Sequence, residues 1–143
     1  LHWHPGDRNS ANADKCFAII NGHFKFYGNT AHAAAAPHIG RSAVDGAEAL
    51  NYMVNMMREH VDERARIHYV FKNGGLAANV VPDYAELEYV IRHPDVNETI
   101  ALMERIKKAA EGAALGTGTT VKWEMKTGLY NLLPNETLAK AML

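Results

Sequence analysis

The stretch Asp83-Tyr84-Ala85-Glu86-Leu87-Glu88-Tyr89-Val90-Ile91-Arg92-His93 decides the fold. Ala85, Leu87, Tyr89 and Ile91 take alternate positions, with Glu86, Glu88 and Arg92 between them. A side-chain period of two sends one set to each face of a β-strand. This strand therefore buries one face and leaves the other polar, with Val90 as the one exception on the polar side. Upstream, residues 66–72 repeat the pattern, with Ile67, Tyr69 and Phe71 set against His68 and Lys72. The connection between the two runs, from Asn73-Gly74-Gly75 through Asn79 to Pro82, is longer than a hairpin turn requires. Its two glycines permit positive φ or close backbone approach to a ligand.

Downstream, Pro94 and Asp95 open a helix, with Glu98 in its first turn. Val96, Ile100, Met103, Ala110 and Ala114, supported by Ile106 and Ala113, predict its buried stripe, and Gly116-Thr117-Gly118 ends it. Residues 120–126 form a last strand with Val121, Trp123 and Met125 facing in and Lys122, Glu124 and Lys126 facing out. Residues 128–134 form a loop, and Asn135 caps a short final helix. At the other end of the chain, residues 15–27 read as the first strand, with Phe24 and Phe26 opposite His23, Lys25 and Tyr27. A helix over residues 42–61 follows, capped by Ser42 with Asp45 three residues on. Ala43, Ala47, Leu50, Val54, Met57 and Val61 give it one apolar stripe. Met53 and Met56 widen the stripe beyond one face, either as extra core or as a partner-facing surface.

The order strand, helix, strand, strand, helix, strand predicts an α+β fold, a ferredoxin-like βαββαβ two-layer sandwich. Its four-stranded antiparallel sheet carries both helices on one face, with the first and third strands central. The 143 residues suffice for one domain with a real core. A formal net charge of -1 gives no electrostatic case for nucleic acid or an anionic membrane. One cysteine, Cys16, excludes an internal disulfide. The start at Leu1 and the abrupt apolar end suggest a piece of a longer protein.

Three polar residues stand where chemistry is expected. His32 is the one imidazole in the small-residue stretch Gly28-Asn29-Thr30-Ala31-His32-Ala33-Ala34-Ala35-Ala36-Pro37. Asn79 lies in the glycine-rich connection, and Arg92 ends the third strand on the open sheet face. A His donates to an oxygen that becomes negative during acyl transfer, and an Arg holds a carboxylate with two bonds. Each has a plainer alternative. His32 is then a loop histidine bonded to backbone, Asn79 a turn residue, and Arg92 a partner of Glu86 or Glu88. His2 and His4, which flank Trp3, are a metal pair only if their rings converge, and no acidic or cysteine cluster accompanies them. The chain has no nucleophile elbow, no phosphate loop and no paired carboxylates at metal spacing beside a His. By its residues alone it contacts something anionic or carbonyl-bearing without an engine of its own.

Residues 28–37 with Gly40-Arg41-Ser42-Ala43 resemble the hallmark loop of a known domain. It is the dimerisation (lid) domain of the two-metal aminoacylase and carboxypeptidase-type metallohydrolases. Gly74-Gly75 with Asn79-Val80-Val81-Pro82-Asp83, then Arg92, resembles that domain's second signature. The wording, including Trp3-His4-Pro5-Gly6, is similar to the amidohydrolase branch and its aminobenzoyl-glutamate utilisation group. The resemblance implies the sandwich derived above, with residues 15–128 as the lid. Residues 1–14 and 129–143 are then flanks leading to a catalytic domain that holds two zinc or manganese ions. It implies that His32 reaches a partner subunit's active site and steadies the scissile carbonyl oxygen, and that Asn79 and Arg92 hold the substrate carboxylate. It also implies a cytoplasmic homodimer paired through edge strand 66–72 and helix 42–61, acting on an N-acyl amino acid such as an aminobenzoyl-glutamate. No metal ligand falls in this chain by the resemblance, so the fragment alone is expected to be inactive. A reading from another class is a free-standing regulatory domain of the same sandwich type that binds a small ligand and dimerises.

Overall fold

The structure is a computed structural model that describes Asp7 and residues 16–142. Seven elements follow one another: β1 (Ala18–Tyr27), α1 (Ala43–Met57), β2 (Arg66–Asn73), β3 (Tyr84–His93), α2 (Val96–Thr117), β4 (Thr120–Leu129) and α3 (Glu136–Ala141). The sheet order is β2-β3-β1-β4 with every pairing antiparallel, so the first and third strands are central, as the order of elements predicts. The histidine pair at His2 and His4 lies outside the described residues.

The core is the helix-facing side of the sheet. Ala85, Leu87, Tyr89 and Ile91 of β3 and Phe24 and Phe26 of β1 are fully buried there. Phe24 meets Tyr89 edge-on with ring centroids 5.7 Å apart. The Tyr89 hydroxyl donates to Asn51 Oδ1 on α1, so this polar tip beneath the helices is satisfied. α1 buries Ala43, Ala47, Leu50, Val54 and Met57, the stripe its spacing predicts. Ser42 Oγ accepts the Asp45 amide at 3.3 Å. The helix is shorter than residues 42–61: after Met57 the chain tightens into a 3-10 turn, Arg58–His60. Val61 then packs on the core from outside the helix.

Two parts of the expected pattern need correction. α2 buries Thr99, Leu102, Met103, Ile106, Ala110, Ala113 and Ala114, while Ile100 is 46% exposed. The true stripe starts on a threonine that hydropathy passes over. Thr99 Oγ1 donates to the Asp95 carbonyl at 3.0 Å, so its hydroxyl is satisfied inside the helix and its methyl is free to pack. Trp123 and Met125 occupy the helix-facing parity, opposite Phe24 and Gly22 of β1, yet they remain 44% and 59% exposed. β4 is an edge strand that α2 leaves partly uncovered. Lys107 covers the Trp123 ring instead, with Nζ 3.5 Å from its centroid. β2 behaves likewise at the opposite edge: Ile67 is buried, whereas Tyr69 and Phe71 stay about two-fifths exposed.

Candidate functional site

Two loops converge at the end of the sheet where β1 finishes and β3 begins. Residues 28–43 leave β1, and residues 74–83 enter β3. Backbone bonds zip them together. Val81 N–H donates to the Ala31 carbonyl at 2.9 Å and Ala33 N–H to the Asn79 carbonyl at 3.0 Å. Ala43 N–H donates to the Pro82 carbonyl and Gly28 N–H to the Asp83 carbonyl, each at 2.8 Å. Asn29 pairs with Arg41 and His32 with Val80 as isolated bridges. Gly28 is required by close approach: a Cβ there would stand 1.9 Å from the Arg41 carbonyl oxygen. Gly75 sits at φ +90°, the left-handed region that glycine enters without penalty. The alanine side chains allow this contact between loops, because larger ones would hold the backbones apart.

His32 and Asn79 are neighbours on this platform. The His32 ring folds onto its own loop, where Nδ1 accepts the amides of Ala34 at 3.2 Å and Ala35 at 3.1 Å. Two donors at Nδ1 put the proton of the neutral ring on Nε2. His32 is exposed, so that Nε2–H is offered outwards as a hydrogen-bond donor. The backbone-bonded alternative is thus realised at one nitrogen and leaves the other available. Asn79 lies in the turn closed by Val80 N–H to the Ala77 carbonyl at 3.2 Å, and its side chain is exposed. Beside the platform lies an open cleft of about 390 Å³, bordered by Ser42, Gly75, Leu76, Val80 and Pro82.

Arg92 lies at the opposite end. It alternates with fully buried Ile91 and His93, so it projects from the open face and is itself exposed. From Tyr84, beside the platform, to Arg92 is about 27 Å along the strand. The structure brings His32 and Asn79 together and holds Arg92 away from both within one chain. Arg92 stands directly opposite Arg66 of β2 and Ile19 of β1.

The alternative pairing of Arg92 with Glu86 or Glu88 does not occur among the described residues, because those carboxylates are committed elsewhere. Glu86 accepts the Tyr84 hydroxyl at 2.7 Å and lies 2.6 Å from His23 Nδ1. Glu88 accepts the Asn21 amide at 2.7 Å and faces Lys72 at 3.5 Å. Glu124 takes Lys126 and, at 2.7 Å, Lys25. The Tyr84 hydroxyl and then His23 hold Glu86 below the usual carboxylate range. The Asn21 amide does the same for Glu88. Lys126, then Lys25, bring Glu124 to about 2. Burial, followed by the bond to Glu86, pushes the Tyr84 hydroxyl up.

His93 is a feature that the sequence reading missed. It is fully buried, accepts the Asp95 amide at Nδ1 at 2.9 Å, and faces Asp62 across 3.5 Å from Nε2. It ties the end of β3 to the turn before β2. Among the described residues no three His, Cys, Asp or Glu side chains are grouped as a metal site would need. Among the same residues no helix is long and apolar enough to cross a membrane.

Comparison with known proteins places this geometry. Residues 16–117 match the model of the peptidase dimerisation domain. The chain is 41% identical over 143 residues to a p-aminobenzoyl-glutamate hydrolase subunit of Escherichia coli (strain K12), covering 99% of this chain and 30% of that protein. It is 36% identical over 122 residues to Xaa-Arg dipeptidase of Homo sapiens, covering 83% of this chain and 28% of that protein. The chain thus spans under a third of the length of these curated relatives. The solved aminobenzoyl-glutamate utilization protein from Klebsiella pneumoniae shares the fold with a TM-score of 0.78 at 22% identity, over 92% of this chain and 33% of that one. By the family match and the identity to full-length relatives, this chain belongs to the peptidase dimerisation domain family.

Proposed function

We propose that the chain is the lid and dimerisation domain of a metal-dependent amide hydrolase acting on N-acyl amino acids such as p-aminobenzoyl-glutamate. Residues 15–128 form the lid, and residues 1–14 and 129–143 lead to the catalytic domain. Two divalent ions, zinc or manganese, belong to that domain; this chain's described side chains do not group as a site for them. When bound, such ions polarise the amide carbonyl and activate water. His32 supplies the second electrophile, donating Nε2–H to the carbonyl oxygen as it becomes an oxyanion. Arg92 holds the substrate carboxylate through its planar fork. Asn79 assists from beside His32.

The separation of the two ends carries this reading. A dipeptide-sized substrate cannot touch His32 and Arg92 of one chain across about 27 Å of strand. The two groups serve one reaction centre only if they come from different protomers, so His32 and Asn79 of one protomer complete the centre that uses Arg92 of its partner. This divides the pair Asn79 and Arg92, expected from the resemblance to act together, between two chains. The assembly proposed is a cytoplasmic homodimer, and the exposed side chains of β2 and α1 suit a pairing through those two elements. Among the described residues β2 is an unpaired sheet edge whose Tyr69, Val70 and Phe71 are exposed, and Tyr52 and Met56 stand out from α1 at 71% and 65% exposure. Met53 is less exposed, at 38%, and lies near Gly112 of α2 at the margin of the same surface. The test is whether dimers mixed from His32→Ala and Arg92→Ala chains of the full-length protein recover activity.

A further inference from the structure

We propose that Arg66 and Arg92 form a two-guanidinium cradle for a substrate whose amino-acid part carries a second carboxylate, and that Arg66 selects it. The inference rests on the reading of Arg92 as the holder of the first carboxylate. Arg66 and Arg92 are directly opposed in the β2–β3 register, so both project from the open face. Directly opposed residues hold their Cβ atoms about 5 Å apart, and like charges so placed repel. A repulsive pair is expected to have a neutralising partner, yet neither guanidinium has a carboxylate partner among the described residues. Glu86, Glu88 and Glu124 lie further along the sheet and hold His23, Lys25, Lys72 and Lys126. Asp62, in the turn before β2, holds Arg64 at 2.7 Å.

Arg66 is also positioned in advance. Its Nη1 donates to the carbonyls of Glu63 at 2.7 Å and Ala65 at 2.8 Å. Those bonds engage Nη1 and leave the other guanidinium N–H groups without a partner among the described residues. Ile19 of β1, opposite Arg92, and Leu129 of β4, opposite Ile19, extend the row across the sheet with apolar side chains. Aspartate and glutamate carry two carboxylates separated by two or three carbons, which suits two opposed guanidiniums. A cationic side chain in the same place meets Arg66 and is repelled. The pair therefore favours an acidic amino acid and disfavours a basic one.

The test uses the full-length protein and two substrates, 4-aminobenzoyl-glutamate and 4-aminobenzoyl-alanine. Arg66→Ala is expected to lower kcat/KM on the glutamate substrate about 10- to 100-fold, mainly through KM, and to leave the alanine substrate within about twofold. Arg66→Lys keeps the charge and recovers part of the loss. Arg66→Gln repeats the split should the alanine variant fold poorly. Equal loss on both substrates, or loss on neither, overturns the role of Arg66. Arg92→Ala should weaken both substrates. If it affects neither, the reading of Arg92 falls and takes the cradle with it, whereas loss on both from Arg92→Ala beside no effect of Arg66→Ala removes the cradle alone.

Discussion

Replacing Gly28 by alanine tests the loop platform with a single methyl group. The new Cβ would sit 1.9 Å from the Arg41 carbonyl oxygen and 2.9 Å from the Ala43 nitrogen, both of them backbone atoms that cannot swing aside. Relief requires the two segments to part by more than about 1 Å, beyond the range in which N–H···O bonds survive. The bonds lost are Asn29 N–H to the Arg41 carbonyl at 2.8 Å and Arg41 N–H to the Asn29 carbonyl at 2.9 Å. At about 1 kcal/mol net for each bond, with residual strain added, the cost is about 3 kcal/mol. For a chain of this size that corresponds to a fall in Tm of about 9 °C. Thermal unfolding followed by circular dichroism reads it, with Gly116→Ala and Gly112→Ala as controls. Both control glycines lie in α2; Gly116 has nothing within 4 Å of an added Cβ, and Gly112 meets only Met53 at 3.9 Å. Those variants should gain up to about 1 kcal/mol from helix propensity. A Gly28→Ala chain that melts within about 2 °C of wild type would refute the close-packed platform.

In the full-length protein His32→Ala should lower kcat about 100-fold or more with KM little changed, because an oxyanion donor acts in the transition state; an unchanged kcat removes His32 from the chemistry. The open-face carboxylates set the acid sensitivity. Glu86, Glu88 and Glu124 have native pKa values below the unfolded value of about 4.3, so the unfolded chain binds more protons as pH falls. Their stabilisation is complete above about pH 4.3 and is lost as pH drops through the depressed native values. Tm should therefore fall from pH 5 towards pH 3, and Glu86→Gln should flatten that slope; parallel slopes in variant and wild type would contradict the assignment.

The sandwich was legible because β3 alternates almost without exception and two helices fall between strands at the right places. Burial at the edges was not legible, since a period of two assigns Trp123 and Met125 to a face without saying whether a helix covers it. The α2 stripe departs from its hydropathy pattern for a related reason: Thr99 is buried through a hydrogen bond to its own helix, which hydropathy does not register. His32, Asn79 and Arg92 could each be singled out from residue type and setting. That Asn79 and Arg92 lie at opposite ends of β3 follows from their order along the chain, but the pairing of the His32 loop with the Asn79 loop could not be read, because it rests on backbone bonds between segments far apart in sequence. Arg66 passed as the first residue of a strand, and only the register with β3 sets it against Arg92.

Whether the two ends of this sheet serve different reaction centres is decided most directly by exchanging protomers. Full-length chains carrying His32→Ala and Arg92→Ala, each impaired as a homodimer, should be mixed under conditions that allow that exchange. A heterodimer then holds one centre lacking both groups and one centre with both intact. Statistical exchange should restore about a quarter of wild-type activity. If the mixture stays as impaired as its parents while mass analysis shows that heterodimers have formed, both groups act from the same chain and the proposed division across the dimer is wrong.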